Sequence, residues 1–563
     1  MPEISYDRYP DFDELTGWLQ SFAAEYPDLV QLESIGHSFE GRDLWLLTVT
    51  NHAVGVPAEK PAIWIDGNIH ASEVTASVAI VHLLDRLTTG HGTDADITRA
   101  LDTRTVYLLP RVNPDGAELA LAERPGFVRG SVHAWPTPDQ RPGLVAEDLD
   151  HDGRILQMRV EDPNGAWKPY QADPRLLVAR EPDEDGDGPY YRLLSEGMIH
   201  DYDGVRVPTA PDRAGIDPNR QFPYQWERNV DGPWDAGEYP GSEPEIAALL
   251  RAVTERKNIC VYLAYHTFSG VHIRAYSDQP DEAMAADDLW TYQALGDIAE
   301  ELTGYPSISG YHDFRYHPKS VIRGVGTDWA YDHLGVYSWT TEFWNALAAA
   351  GLDDAHPLEW YRTHPLDEEL QLLAWVDDNV PGGYVDWYDH DHPQLGAVEL
   401  GGWNSELVFR NPPSHLLADE IEPHSTLAIR LALSSPLLRH RETIVDALGD
   451  DTWRVRVVVE NAGWMTTAVT DRAKESGYVQ PMVARIDLPA DASLVMGTER
   501  IELGQLAGRA LKQNAVRSFS VSSDGTDDRT VAEWIVQGPA GSVCAVEVVH
   551  DRAGAVRADV ILG

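Results

Sequence analysis

Cysteine is nearly absent from this chain: only Cys260 and Cys544 occur among 563 residues. That excludes a disulfide scaffold and a cysteine-rich zinc site, so any bound metal must rest on histidines and carboxylates. Long apolar runs are missing too, and none reaches the roughly 18 residues that a membrane-crossing helix needs. The opening Met1-Pro2-Glu3-Ile4-Ser5-Tyr6-Asp7 has neither a basic nor an apolar stretch, which sets the expectation of no secretory signal and a cytoplasmic protein. Lysine is scarce, limited to Lys60, Lys168, Lys257, Lys319, Lys474 and Lys512. Against 91 acidic residues stand 44 basic ones, a net charge of −47. A field of that sign repels nucleic acid and anionic membranes, so neither is expected as a partner. An acid-rich, lysine-poor surface stays soluble where salt screens charge, so a high-salt cell is expected.

What is present suffices for a large core. Apolar residues make up 43% of the chain, which rules out general disorder. Phe12, Leu15, Trp18, Leu19 and Phe22 recur at helical spacing, and strand-like runs follow at 30–35, 43–50 and 61–66. A helix is expected over about 73–87 and a strand at 106–109. From about 130 to 210 Gly, Pro and Asp dominate, which reads as an insertion of loops and short strands without a core of its own. Alternation resumes with a helix over 244–257, a strand over 259–265, a helix over 281–302 and a strand over 336–343. A second loop-rich insertion covers about 350–412, followed by a helix over 423–434. The fold class is therefore α/β, a mixed, mostly parallel twisted sheet flanked by helices. From Thr452 onward apolar residues alternate with a period of two, predicting a C-terminal all-β sandwich whose last hairpin turns at Arg552-Ala553-Gly554. The expected division is 1–445 and 452–563.

One motif carries chemistry. In Gly67-Asn68-Ile69-His70-Ala71-Ser72-Glu73 a strand gives way to a helix, the place where open α/β sheets put their sites. His70 and Glu73, three apart, can face one ion. A third ligand must come from another strand end, and His266 closes the apolar run 261–265. Imidazole and carboxylate suit Zn²⁺, and three protein ligands leave one position open.

These residues, with several others in the same order, resemble the zinc carboxypeptidases of the carboxypeptidase A type over roughly residues 5–440. The other matching pieces are Glu25-Tyr26-Pro27-Asp28-Leu29-Val30, the run Ile35-Gly36-His37-Ser38-Phe39-Glu40-Gly41-Arg42, Asn113-Pro114-Asp115-Gly116, Asp217-Pro218-Asn219-Arg220, Ser242-Glu243-Pro244-Glu245 and Thr341-Glu342. The resemblance implies one catalytic zinc on His70, Glu73 and His266, and a peptide substrate with a free C-terminal carboxylate. It implies Glu342 as general base and acid, Asn219 and Arg220 as the carboxylate clamp, and Asp217 as the group that orients His70. Arg129 fits the oxyanion-stabilising arginine, with Arg124 as the fallback. Two departures concern the substrate. Ser320 stands near the place of the family's mobile tyrosine, leaving Tyr316 or Tyr311 to reach in. Ser72 replaces a basic residue beside the metal glutamate. Thr327 holds the position that helps set side-chain preference and suggests a small or neutral terminal residue, whereas Arg323 nearby would favour an acidic one.

The expected function is hydrolysis of C-terminal peptide bonds by a zinc-activated water. The rivals are a related zinc amidohydrolase acting on cell-wall or side-chain-linked peptides, and a binding scaffold without activity. Asp148/Asp150/Asp152 and Asp183/Asp185/Asp187 each open a D-x-D-x-D-G pattern and are candidate Ca²⁺ loops, although Arg159 and Leu194 stand where the twelfth-position glutamate belongs. The run Tyr388-Asp389-His390-Asp391-His392 reads as a polar turn, not a metal site. Oligomeric state has no signature.

Overall fold

A computed structural model describes residues 4–122, 129–133, 135, 142–186, 188–208, 215–228, 235–317, 319–353, 357–510 and 525–563. Its central sheet has eight strands: β1 Val30–His37, β2 Asp43–Val49, β3 Ala62–Gly67, β4 Thr105–Leu109, β5 Ile259–Thr267, β6 Val271–Arg274, β7 Ser307–Ser309 and β8 Tyr337–Phe343. They lie side by side in the order β1-β2-β4-β3-β5-β8-β6-β7. The middle four, β4, β3, β5 and β8, run parallel, and the antiparallel pairs lie to either side of them. Every residue of these four strands is buried, as a sheet covered on both faces requires. The covering helices include Phe12–Glu25, Thr75–Gly90, Pro244–Glu255, Ala286–Thr303 and Ser414–Ser434. The first is capped by the Asp11 carboxylate and buries Leu15, Trp18, Leu19 and Phe22, the stripe its periodicity marked.

The insertions differ from the sequence expectation. Strands Gln157–Glu161, Trp167–Pro169, Leu177–Ala179 and Tyr191–Ser195 of the first join Tyr384–His392 and Gly396–Trp403 of the second in one six-stranded sheet. Leu144, Met158, Ile199, Val398 and Leu400 form a small core between them. Each insertion supplies only part of that core, so neither shows it when read alone. The run 388–392 is consequently strand, not turn, and His392 Nε2 faces the Gly197 carbonyl at 2.9 Å. The helix expected from 423 starts at Ser414 and carries Pro423 inside it.

Two four-stranded antiparallel sheets build the C-terminal part around a separate core that includes Val455, Val457, Trp534, Val546 and Val548. Its first strand, Leu438–Gly449, precedes the period-2 region. That strand is mostly exposed, so it lacks the apolar alternation that marks its partner Thr452–Asn461. The sandwich is tied to the central domain. The buried Arg552 guanidinium donates to the Gly335 and Ala468 carbonyls at 2.7 and 3.0 Å, and Asp288 accepts from the amides of Asp471 and Arg472. No helix among the described residues is long and apolar enough to cross a membrane.

Candidate metal centre and substrate cleft

Register places the site. Gly67, the last residue of β3, pairs with Tyr265 on β5, and His266 pairs with Glu342 on β8. Adjacent strands are about 4.8 Å apart, so the chain leaving β3, the end of β5 and the end of β8 meet at one edge of the sheet. Asn68 adopts φ +56°, a left-handed conformation that asparagine tolerates, and turns the chain back over the strand end. Glu73 is not on the following helix, which begins at Thr75; a tight turn, not helical spacing, brings it to His70.

His70 Nδ1 and His266 Nδ1 lie 3.2 Å apart, and the two Glu73 carboxylate oxygens lie 2.9 Å from one nitrogen each. All three residues are buried. A tetrahedral ion with ligand bonds of about 2.0–2.1 Å holds its ligand atoms roughly 3.3 Å apart. The observed spacing and the two-imidazole, one-carboxylate donor set therefore fit Zn²⁺. With both Nδ1 atoms unprotonated, the pair would present two lone pairs to such a cation. Asp217 supports this tautomer at His70: its Oδ1 lies 3.2 Å from Nε2, positioned to accept the proton there. Burial would raise the Asp217 pKa, but Arg129 and then Arg220 outweigh it and hold the carboxylate well below its usual range.

The structure brings most of the expected substrate residues to the same place. A cleft is lined by His70, Arg129, Asn219, Arg220, His266, Tyr316, Thr327 and Glu342, with Ile273, Phe314, Ile322 and Val325. Arg129 donates from Nε to Asp217 Oδ2 at 3.1 Å, and another of its nitrogens lies 3.8 Å from Glu73. Asn219 Oδ1 accepts from Gly326 N–H at 3.0 Å, tying the clamp loop to the short helix Gly326–Trp329 that carries Thr327. Arg220 donates to the Asn219 carbonyl at 2.8 Å. Burial pushes the Glu342 carboxyl up to about 8 against the pull of His266, and its Oε2 has no hydrogen-bond partner among the described residues.

Some expectations fall away. Tyr311 does not line the cleft, whereas Tyr316 does. Arg323 pairs with Glu227 at the surface instead of entering the cleft. Arg124 lies outside the described residues. Among the calcium candidates, Asp148 and Asp150 gather with Glu196, not with Asp152, whose carboxylate bonds to Arg154. Asp148 is occupied by the amides of His151, Asp152 and Gly153. Asp183 and Asp185 join no three-ligand cluster among the described residues, and Asp187 lies outside them. The structure gives calcium no support.

Sequence reasoning missed the end of the second insertion. The single wide helical turn Glu406–Arg410 lies beside the metal turn. Arg410 sits 5.2 Å over the Phe268 ring, two residues past His266, and its charge lowers the Glu342 pKa. Burial raises the Glu406 pKa against the pull of Arg410, and the metal glutamate Glu73 is near enough to add to the rise. These residues are separated from His70–Glu73 by more than 330 positions, and no local pattern links them.

Residues 15–140 and 192–351, just over half of the chain, match the zinc carboxypeptidase family Peptidase_M14. The chain belongs to this family and is an enzyme, a hydrolase whose family acts on peptides. Residues 437–561 match a domain of unknown function, DUF8731. Carboxypeptidase B of Astacus astacus is 25% identical over 355 residues, 60% of this chain and 87% of that protein. Carboxypeptidase M of Mus musculus is 34% identical over 115 residues, 20% of this chain and 25% of that protein. Among solved structures, carboxypeptidase A from Helicoverpa armigera is 18% identical with a TM-score of 0.39, covering 67% of this chain and 76% of that one.

Proposed function

We propose that the protein is a zinc-dependent metallocarboxypeptidase that releases C-terminal residues from peptides. One observation carries this reading: the two histidines of a three-ligand cluster, a buried glutamate and two arginines line a single cleft. Zinc held by His70, Glu73 and His266 would supply a Lewis acid and lower the pKa of water to about 7. The protein's own groups do the rest. Glu342 takes a proton from the attacking water and passes it to the departing amine. With a divalent cation held beside it, Glu342 would be drawn down from the raised value and be ionised at neutral pH. Arg129, fixed through Nε by Asp217, directs its charge to the developing oxyanion. Arg220 and Asn219 hold the substrate's terminal carboxylate. Asp217 keeps the His70 Nε2 proton in place, so that Nδ1 faces the metal.

The cleft favours a neutral, largely apolar terminal side chain. Ile273, Phe314, Ile322 and Val325 line it with Thr327 and Thr340, and Glu342 is the one acid among the described residues that line it. Tyr316, half exposed at the cleft, is the candidate for the mobile tyrosine. The acid-rich, lysine-poor composition suits work in a high-salt cytoplasm.

Mass spectrometry of a mixed peptide library tests the proposal. Single residues should disappear from C-termini, a chelator should abolish this, and added zinc should restore it. Cleavage inside the chains, or chelator-insensitive turnover, would overturn it. Hydrolysis of muropeptides with blocked dipeptides left intact would move the assignment to a zinc amidohydrolase of cell-wall peptides.

A further inference from the structure

The turn that carries His70 and Glu73 is not secured by its own helix. The helix Thr75–Gly90 follows Val74, which offers no side-chain cap. Asn411, at the end of the second insertion, supplies one from 336 residues away. Its Oδ1 accepts from the Thr75 amide at 3.1 Å and from the Thr75 hydroxyl at 2.8 Å, and its Nδ2 donates to the Ser72 carbonyl at 2.8 Å. Ser72 and Thr75 bracket Glu73, so one buried amide grips the chain on both sides of the metal carboxylate. The other half of the turn is held separately: Asn68 Nδ2 donates to the His70 and Ala71 carbonyls at 2.7 and 3.0 Å, and Ala71 N–H donates to the Arg129 carbonyl at 2.9 Å.

We propose that Asn411 is a positioning residue for the metal centre, so that a segment outside the central sheet sets zinc affinity through Glu73. The inference rests on reading the triad as the zinc site. Removing the amide strands the Ser72 carbonyl and the Thr75 amide in a buried place, and the turn relaxes to satisfy them. Glu73 then leaves the two imidazoles. Loss of such an outer partner typically weakens metal binding about 10- to 100-fold.

The test is zinc affinity by competition with a chromogenic chelator, beside melting of the metal-free protein. Asn411→Ala should weaken zinc about 10- to 100-fold. Val408→Ala removes buried packing from the same segment without touching the turn, and should lower the melting temperature while leaving zinc affinity unchanged. Equal zinc affinity in Asn411→Ala and the parent would overturn the proposal, as would equal weakening in Val408→Ala. If Asn411→Ala does not fold, Thr75→Val decides: it deletes one of the three hydrogen bonds and should weaken zinc several-fold, and unchanged affinity overturns the idea. Failure of the parent protein to bind zinc would instead sink the metal reading itself.

Discussion

Glu342→Gln separates chemistry from structure. The side chain is buried on β8, and its backbone is paired on one side with His266 of β5 and on the other with Val271 of β6. Glutamine matches its shape. The carboxyl Oε2 has no hydrogen-bond partner among the described residues, so the exchange breaks no hydrogen bond at that atom. The backbone on both sides is held by the sheet, so the three ligands should stay where they are. The variant should therefore melt no lower than the parent at pH 7 and bind zinc with equal stoichiometry. The reaction loses its proton carrier, a contribution of about 10²- to 10⁴-fold, or roughly 3–5 kcal/mol of transition-state stabilisation. A blocked dipeptide with an apolar terminal residue, followed under saturating conditions, reads kcat directly. A decrease of less than tenfold with zinc retained would refute the role given to Glu342. A decrease accompanied by loss of zinc would show that the substitution had disturbed the metal centre instead.

Arg220→Ala should lower kcat/KM by about 100-fold for peptides with a free C-terminus, since a charge-assisted hydrogen bond contributes about 1.5–3 kcal/mol. Amidated peptides should be nearly unaffected, and equal losses on both would reject the clamp. Asp217→Asn should weaken zinc binding about 10- to 100-fold, because it leaves one acceptor oxygen where His70 Nε2 and Arg129 Nε each use one; a chelator competition that finds no change would exclude this role. Glu245 is buried in the first turn of the helix Pro244–Glu255, accepts the Phe39 amide at 2.7 Å, and is pushed by burial up to about 7. The folded protein therefore keeps a proton that the unfolded chain releases, and its stability falls as pH rises from about 4.5 to 7, then levels. Glu245→Gln should remove this slope. Its advantage over the parent, read from urea midpoints, should be near zero at pH 4.5 and reach up to about 3 kcal/mol at pH 8. Parallel pH profiles for the two proteins would refute the assignment.

Features that depend on local pattern were legible in the chain before folding. Apolar runs fully buried in β3 and β5 were visible as runs, and each leads to a residue of the site: His70 just past one and His266 at the end of the other. The stripe of the first helix and the alternation of Thr452–Asn461 were visible for the same reason, because burial on one face imposes a period. Asp217, Asn219 and Arg220 were recognisable only through the resemblance, since nothing in a loop sequence says what it faces.

Tertiary structure alone decided the rest. The exposed strand Leu438–Gly449 needs no apolar alternation, so its sequence carries no strand signal. The small core shared by the two insertions exists only once Met158 and Leu400 are brought together across 242 positions. Glu73 reaches His70 by a turn whose shape depends on Asn68 within it and Asn411 far beyond it. Hydrogen bonds between distant segments leave no periodicity behind. A chain can thus announce which atoms are suited to hold a metal, while the distances that let them hold it are set by contacts that only the folded state contains.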